Sequence, residues 1–178
     1  MIAYLFPGQG SQRAGMYDLL GDKIKETEEV FEVAKAVTGR DVIKLCKELT
    51  DEELKLTYNT QLSVTAMNMA YAKILANRGI VPDIVAGHSL GQLSALAAAD
   101  VITLHDLFRI VDKRAELMMR VQESGKLATI IGLDKSIIEE VCKEVSKISG
   151  TVSIALENSD KQYVIGGKEK DVDSALVK

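Results

Sequence analysis

The chain has 178 residues, of which 47% are hydrophobic and 27% charged, enough for one sizeable core or for one large domain with part of a second. A formal net charge of −4 argues against general nucleic-acid binding, although a local basic patch for an acidic partner stays compatible with that total. No run of about eighteen apolar residues occurs, and the chain opens directly on a strand-like Met1 to Phe6, so neither a signal peptide nor a membrane span is expected.

Ile2-Ala3-Tyr4-Leu5-Phe6 reads as a short apolar strand leading into Pro7-Gly8-Gln9-Gly10-Ser11-Gln12. A strand followed by Gly8-x-Gly10 suggests a dinucleotide fingerprint, but Arg13 stands where the third glycine belongs and no clean βαβ unit with a ribose-binding acid follows. A backbone-tight loop that places Gln9 or Gln12 at the carboxyl end of a strand is the better reading. The helical period predicts a helix over Asp22 to Val37, through Ile24, Val30, Phe31 and Ala34, with Gly39 as its stop. Asp41 is expected to cap a shorter helix from Val42 to Leu49, and Thr50 to Glu53 has the form of a capping box. Thr60 is expected to cap the next helix, which runs through Met67, Ala70, Tyr71 and Ile74 to a stop at Gly79. Cys46 and Cys142 lie far apart in helix-like segments without metal-ligand spacing, so two buried, reduced thiols of a cytosolic protein are expected, and no metal site.

The most informative stretch follows Pro82. Asp83 to Ala86 reads as a buried strand, Leu90 to Ala99 as a helix, and between them lies Gly87-His88-Ser89-Leu90-Gly91. This is a G-x-S-x-G pattern in a strand–turn–helix context, where the bare pattern alone could arise by chance. A tight turn of this kind forces the serine into a strained backbone, and side chains at the flanking positions would collide, hence glycine on both sides. The helix N-terminus offers free N–H groups to a developing oxyanion, the Leu90 amide first among them. Ser89 is therefore the candidate nucleophile.

Thr103 with Asp106 marks the start of a long helix to about Gln122. Leu104, Leu107, Val111 and Met118 form its apolar face, and Arg109, Lys113, Glu116 and Arg120 the opposite stripe. Arg114 falls with the apolar set, where a guanidinium is costly unless an anion meets it. It serves either an internal salt bridge or snorkelling contact, or a two-bonded grip on a substrate carboxylate.

Glu123-Ser124-Gly125 reads as a domain boundary. Beyond it come a strand (Lys126 to Leu133), a helix (Ser136 to Ser146), a strand alternating Val152, Ile154 and Leu156, a turn at Asn158-Ser159-Asp160, and a short strand Gln162 to Ile165. Gly166-Gly167 and the start of a second helix complete a β-α-β-β-α order, that of a ferredoxin-like unit without its last strand. The absent strand would pair with Lys126 to Leu133, so Leu127-Ala128-Thr129-Ile130-Ile131 is expected to carry an open edge without charge or proline.

Phe6-Pro7-Gly8-Gln9-Gly10-Ser11-Gln12, Thr60-Gln61, Gly87-His88-Ser89-Leu90-Gly91, Arg114-Ala115-Glu116-Leu117-Met118 and Ile130-Ile131-Gly132-Leu133-Asp134 together resemble malonyl-CoA:acyl-carrier-protein transacylases and the related acyltransferase domains of fatty-acid and polyketide synthases. The resemblance runs the whole chain and corresponds to the N-terminal part of that family. It implies an α/β fold, with an α/β-hydrolase-like large subdomain (residues 1–124, incomplete) and an inserted ferredoxin-like small subdomain (residues 125–178, last strand missing). It also implies that Ser89 becomes malonylated, that Gln9 shapes an oxyanion hole with the Leu90 amide, and that Arg114 holds the malonyl carboxylate. The reaction implied is ping-pong transfer from malonyl-CoA to the pantetheine thiol of an acyl carrier protein, in the cytoplasm, with no cofactor, nucleic acid or membrane.

The family's catalytic histidine lies downstream of the small subdomain, with a histidine-containing acyl-selectivity segment. The histidines here are His88, which neighbours the serine at a tight turn, and His105, in the first turn of the Arg114 helix; neither is placed to act as base. Gln92-Leu93 stands where the family commonly has Glu-Tyr. The expectation is a transacylase represented by its N-terminal part, whether a fragment or one half of a split enzyme with a C-terminal complementing segment as partner. The alternatives are a serine acyl hydrolase, which Arg114 argues against, and a non-catalytic module that binds a carrier protein or a second chain.

Overall fold

A computed structural model of the chain describes residues 1–120 and 125–178. The chain is mixed α/β and divides into two compact units, Met1–Arg120 and Val121–Lys178. Of the expected boundary Glu123-Ser124-Gly125, only Gly125 lies among the described residues.

In the first unit, β1 (Ala3–Phe6) and β2 (Ile84–Gly87) pair in parallel, from Ala3↔Ile84 to Phe6↔Gly87. Strand alternation sends Tyr4, Phe6 and Val85 to one face, where they pack with Ala72 and Ala95, and leaves Leu5 and Ile84 exposed on the other. Between the strands run α1 (Glu28–Thr38), α2 (Val42–Glu48), α3 (Asp51–Leu54) and α4 (Thr57–Asn77). After β2 come α5 (Gly91–Ala98) and α6 (Leu104–Met119). Leu62, Ala66 and Ala70 of α4 are fully buried in a core shared with Leu90 and with Leu107, Phe108 and Val111 of α6. Thr60, Gln61, Ser63, Thr65 and Asn68 are buried with them, so α4 is a central helix without a solvent stripe over that stretch.

Several expected boundaries hold. The Asp41 carboxylate accepts from the Lys44 N–H, Thr50 and Glu53 form a reciprocal capping box, and Thr103 accepts from the Asp106 N–H at 3.0 Å. Gly39 (φ 68) and Gly79 (φ 70) end their helices in the left-handed region. Others differ. The helix expected from Asp22 starts at Glu28, because Met16–Thr27 forms 3-10 turns broken at Gly21 (φ 55). Those turns bury Met16, Tyr17 and Leu20, with the Tyr17 ring edge-on to Phe31 at 5.1 Å. Thr60 is not a cap: α4 begins at Thr57, and the buried Thr60 hydroxyl donates to the Leu54 carbonyl at the end of α3. On α6 the buried face is Leu107, Phe108, Val111 and Ala115, which leaves Met118 exposed and Arg114 half-buried on the flank. The helix closes at Arg120, and Gln122 lies outside the described residues.

The second unit has the expected element order: β3 (Gly125–Ile131), α7 (Lys135–Ser149), β4 (Val152–Ser159), β5 (Gln162–Lys168) and α8 (Glu169–Leu176). Its sheet is antiparallel in the order β3-β5-β4, so β3 is an edge strand among the described residues. Ile138, Cys142 and Val145 of α7 pack with Val172 of α8 over Val152, Tyr163 and Ile165. Two local expectations are corrected. Gly166 and Gly167 do not end the strand but lie inside β5, where a Cβ on Gly167 would stand 2.1 Å from the Thr151 carbonyl oxygen. The register shifts between Ile154 and Leu156, so Leu156 pairs with Val164 instead of continuing the core face of Val152 and Ile154. Both cysteines are free and buried, one per unit, and burial pushes the Cys46 thiol up to about 12.

Candidate active site at the strand ends

The parallel register brings the carboxyl ends of β1 and β2 together, and the loops that follow meet there. Ser89 takes φ 50, and among the described residues only Asp100 is another non-glycine at positive φ. The glycines on either side are required by contact. A Cβ on Gly87 would come within 2.1 Å of the Gly91 carbonyl carbon, and one on Gly91 within 2.1 Å of the Phe6 carbonyl oxygen. The Gly91 N–H donates to His88 O at 2.9 Å and the Gln92 N–H to Ser89 O at 3.1 Å. The Ser89 and Leu90 N–H groups donate to no backbone carbonyl among the described residues, which leaves the Leu90 amide open at the head of α5. Ser89 is exposed, and the Leu90 side chain is fully buried and anchors the turn.

The loop after β1 lies against this elbow. The His88 N–H donates to Phe6 O at 3.0 Å, and a Cβ on Gly8 would fall 2.5 Å from the His88 carbonyl oxygen. Gln12 serves the loop itself, accepting from the Gly10 N–H at 2.8 Å, and the Ser11 hydroxyl donates to Gly8 O at 2.8 Å. Gln9 is exposed between Gly8 and Gly10, and its side chain has no hydrogen-bond partner among the described residues. Of the two glutamines the sequence left open, Gln12 spends its amide oxygen on the loop, and Gln9 has neither end of its amide engaged among the described residues. His105 is exposed in the first turn of α6.

Among the described residues Arg114 does not make the internal salt bridge that was one of its expected roles. Its Nη1 donates to Gln61 Oε1 at 2.6 Å, and no carboxylate among the described residues pairs with it. Two contributors escaped the sequence reading. Gln61 entered only as part of a matching motif, and Asn68 not at all. Asn68 donates to Pro7 O at 3.1 Å and to Ser94 Oγ at 3.2 Å, and so ties the β1 loop to α5. A signal existed, since Gln61 and Asn68 stand two turns apart on one side of α4. Among the described residues there is no metal-binding cluster, and no helix is long and apolar enough to cross a membrane.

A serine held at positive φ on a strand–turn–helix elbow, at the carboxyl ends of parallel strands, is the arrangement of α/β proteins that form covalent intermediates on serine. The chain belongs to the acyl transferase domain family, whose model matches residues 3–178. It is 36% identical over 176 residues to the malonyl CoA-acyl carrier protein transacylase of Bacillus subtilis, covering 98% of this chain and 56% of that protein. Among solved structures it superposes on an acyl carrier protein S-malonyltransferase from Vibrio cholerae with a TM-score of 0.91 at 34% identity, covering 99% of this chain and 58% of that one. A malonyl-transacylase in complex with a type II PKS acyl-carrier protein gives a TM-score of 0.89 at 38% identity, with 98% and 57% covered. The chain therefore spans somewhat more than half the length of these relatives.

Proposed function

We propose that this chain carries the nucleophile, oxyanion hole and carboxylate clamp of a malonyl-CoA:acyl-carrier-protein transacylase acting in fatty-acid or polyketide synthesis. The observation that carries the reading is Ser89 at φ 50 with the open Leu90 amide one residue on, in a chain of the acyl transferase family. Ser89 Oγ attacks the thioester carbonyl of malonyl-CoA and gives its proton to a general base. The Leu90 N–H and Gln9 stabilise the oxyanion, and Arg114 grips the free carboxylate. Collapse expels the CoA thiolate, which takes up a proton, and leaves malonyl-Ser89. The pantetheine thiol of a carrier protein then attacks that ester, and Ser89 recovers its proton. No cofactor or metal takes part.

The finer fold belongs to the same reading. Residues 1–124 are an α/β-hydrolase-like core, and residues 125–178 a ferredoxin-like subdomain, supported by the β-α-β-β-α order and the β3-β5-β4 sheet. The base is assigned to a histidine on a complementing segment, since His88 adjoins the nucleophile and His105 is exposed at the head of α6. Two free, buried thiols suit a cytoplasmic setting.

Mass spectrometry after incubation with malonyl-CoA tests this. The 178 residues alone should acylate Ser89 slowly, because without one triad member only about 10³–10⁴-fold catalysis over water remains. A histidine-bearing complementing segment should accelerate labelling, and Ser89→Ala should abolish it. Label on another residue would refute the assignment of the nucleophile, and rapid stoichiometric labelling of the isolated chain would refute that of the base.

A further inference from the structure

We propose that Gln61 is the positioning residue that makes Arg114 selective for a carboxylate: a neutral acceptor that orients the guanidinium without neutralising it. The inference rests on the reading of Arg114 as the clamp and goes beyond it by naming what keeps the clamp charged.

Every cation of the exposed stripe of α6 is matched by an acid. Arg109 pairs with Asp106, and Lys113 and Arg120 pair with Glu116. Arg114 departs from this pattern, since its partner is the fully buried Gln61 of α4. A guanidinium has donors only, so the amide oxygen is the one end of Gln61 that can face it. The other end is also fixed, because Gln61 Nε2 donates to the Met118 thioether at 3.2 Å. The amide is thus engaged at both ends between α4 and α6. It engages Nη1, and the remaining guanidinium donors stay available for the two oxygens of a carboxylate.

A glutamate at position 61 would have bound Arg114 more tightly. It would also have cancelled the charge that a substrate carboxylate needs to meet in a half-buried site. An apolar residue would have left Nη1 without an acceptor and the fork free to swing. Glutamine does neither. The choice between amide and acid at one buried position therefore sets which acyl groups the site prefers.

The test is calorimetric titration of the protein and its variants with malonyl-CoA and acetyl-CoA, read as the ratio of the two affinities. Wild type should favour malonyl-CoA, and Arg114→Ala should bring the ratio close to one. Gln61→Glu should lower the ratio by about tenfold or more, the scale of one charge-assisted hydrogen bond. Gln61→Met, which keeps the volume but offers no amide acceptor, should lower it by a smaller factor, and it decides the matter if Gln61→Glu fails to fold. If both Gln61 variants keep the wild-type ratio while Arg114→Ala loses it, the role of Gln61 is refuted and the clamp stands. A parallel loss of both affinities in the Gln61 variants, with the ratio intact, likewise refutes it by showing a structural role only. If wild type shows no preference, or Arg114→Ala keeps one, the clamp itself fails and this inference with it.

Discussion

Asn68, buried in the middle of α4, donates its side-chain amide to the carbonyl of Pro7 at 3.1 Å. The same nitrogen reaches Ser94 Oγ at 3.2 Å, so one side chain pins the β1 loop to the elbow helix. Asn68→Leu should strand both acceptors and destabilise the first unit by about 1–3 kcal/mol. Urea denaturation followed by circular dichroism would measure it, and an unchanged midpoint would show that the loop is held by backbone contacts alone.

Gly91 has no room for a methyl group. Its Cβ would meet three backbone atoms of Phe6 and Pro7 between 2.1 and 2.8 Å, none of which can rotate away. Gly91→Ala should therefore cost about 3 kcal/mol or more, at the upper end of overpacking penalties. Gly125→Ala is the control: its nearest atom, Gly167 O, would be 3.5 Å away, an ordinary contact. Comparable stability of the two variants would contradict the contact argument.

The left-handed backbone of Ser89 is a stability cost retained at the candidate nucleophile. Ser89→Ala keeps that strain and Ser89→Gly relieves it, so the glycine variant should be the more stable of the two by about 1 kcal/mol. Neither should accept an acyl label. An alanine variant as stable as the glycine variant would show that the turn is unstrained.

Acid sensitivity in the first unit should trace in part to the α3 cap. The Thr50 N–H and hydroxyl bound to Glu53 hold its carboxyl below the ordinary 4.5. A carboxyl depressed by folding stabilises the native state above its unfolded value, and that contribution is lost as pH falls through the lower, folded value. Stability should thus be level above about pH 5 and decline below pH 4.5. Glu53→Gln, which can still accept in a capping box, should flatten that decline. Denaturation midpoints between pH 7 and pH 3 would show it, and an equally steep fall in the variant would assign the sensitivity elsewhere.

What the sequence made legible was local. Asp41, Thr50 with Glu53, and Thr103 with Asp106 announce helix starts through bonds that span three residues, and Gly87 and Gly91 flag a turn tight enough to exclude side chains. Spacing failed where the governing partner is distant. Thr60 looks like a cap until the end of α3 supplies an acceptor for its hydroxyl. The helical period read from Asp22 covers residues 22–27, which form 3-10 turns instead of the first turns of α1. Leu156 leaves its alternation because the pairing with β5 contains a bulge. The partner of Arg114 lies 53 residues earlier in the chain, so the neutral bond to Gln61 could not be told from a salt bridge.

Each compact unit encloses a single sulfhydryl, Cys46 in α2 and Cys142 in α7. Burial lifts both thiols above their ordinary pKa, so folded protein offers an alkylating reagent almost no thiolate at neutral pH. Reagent reaches either sulfur only when the structure around it opens. Two peptides from one timed alkylation would then keep separate clocks on the two units, and would report whether they open together or apart without any engineered probe.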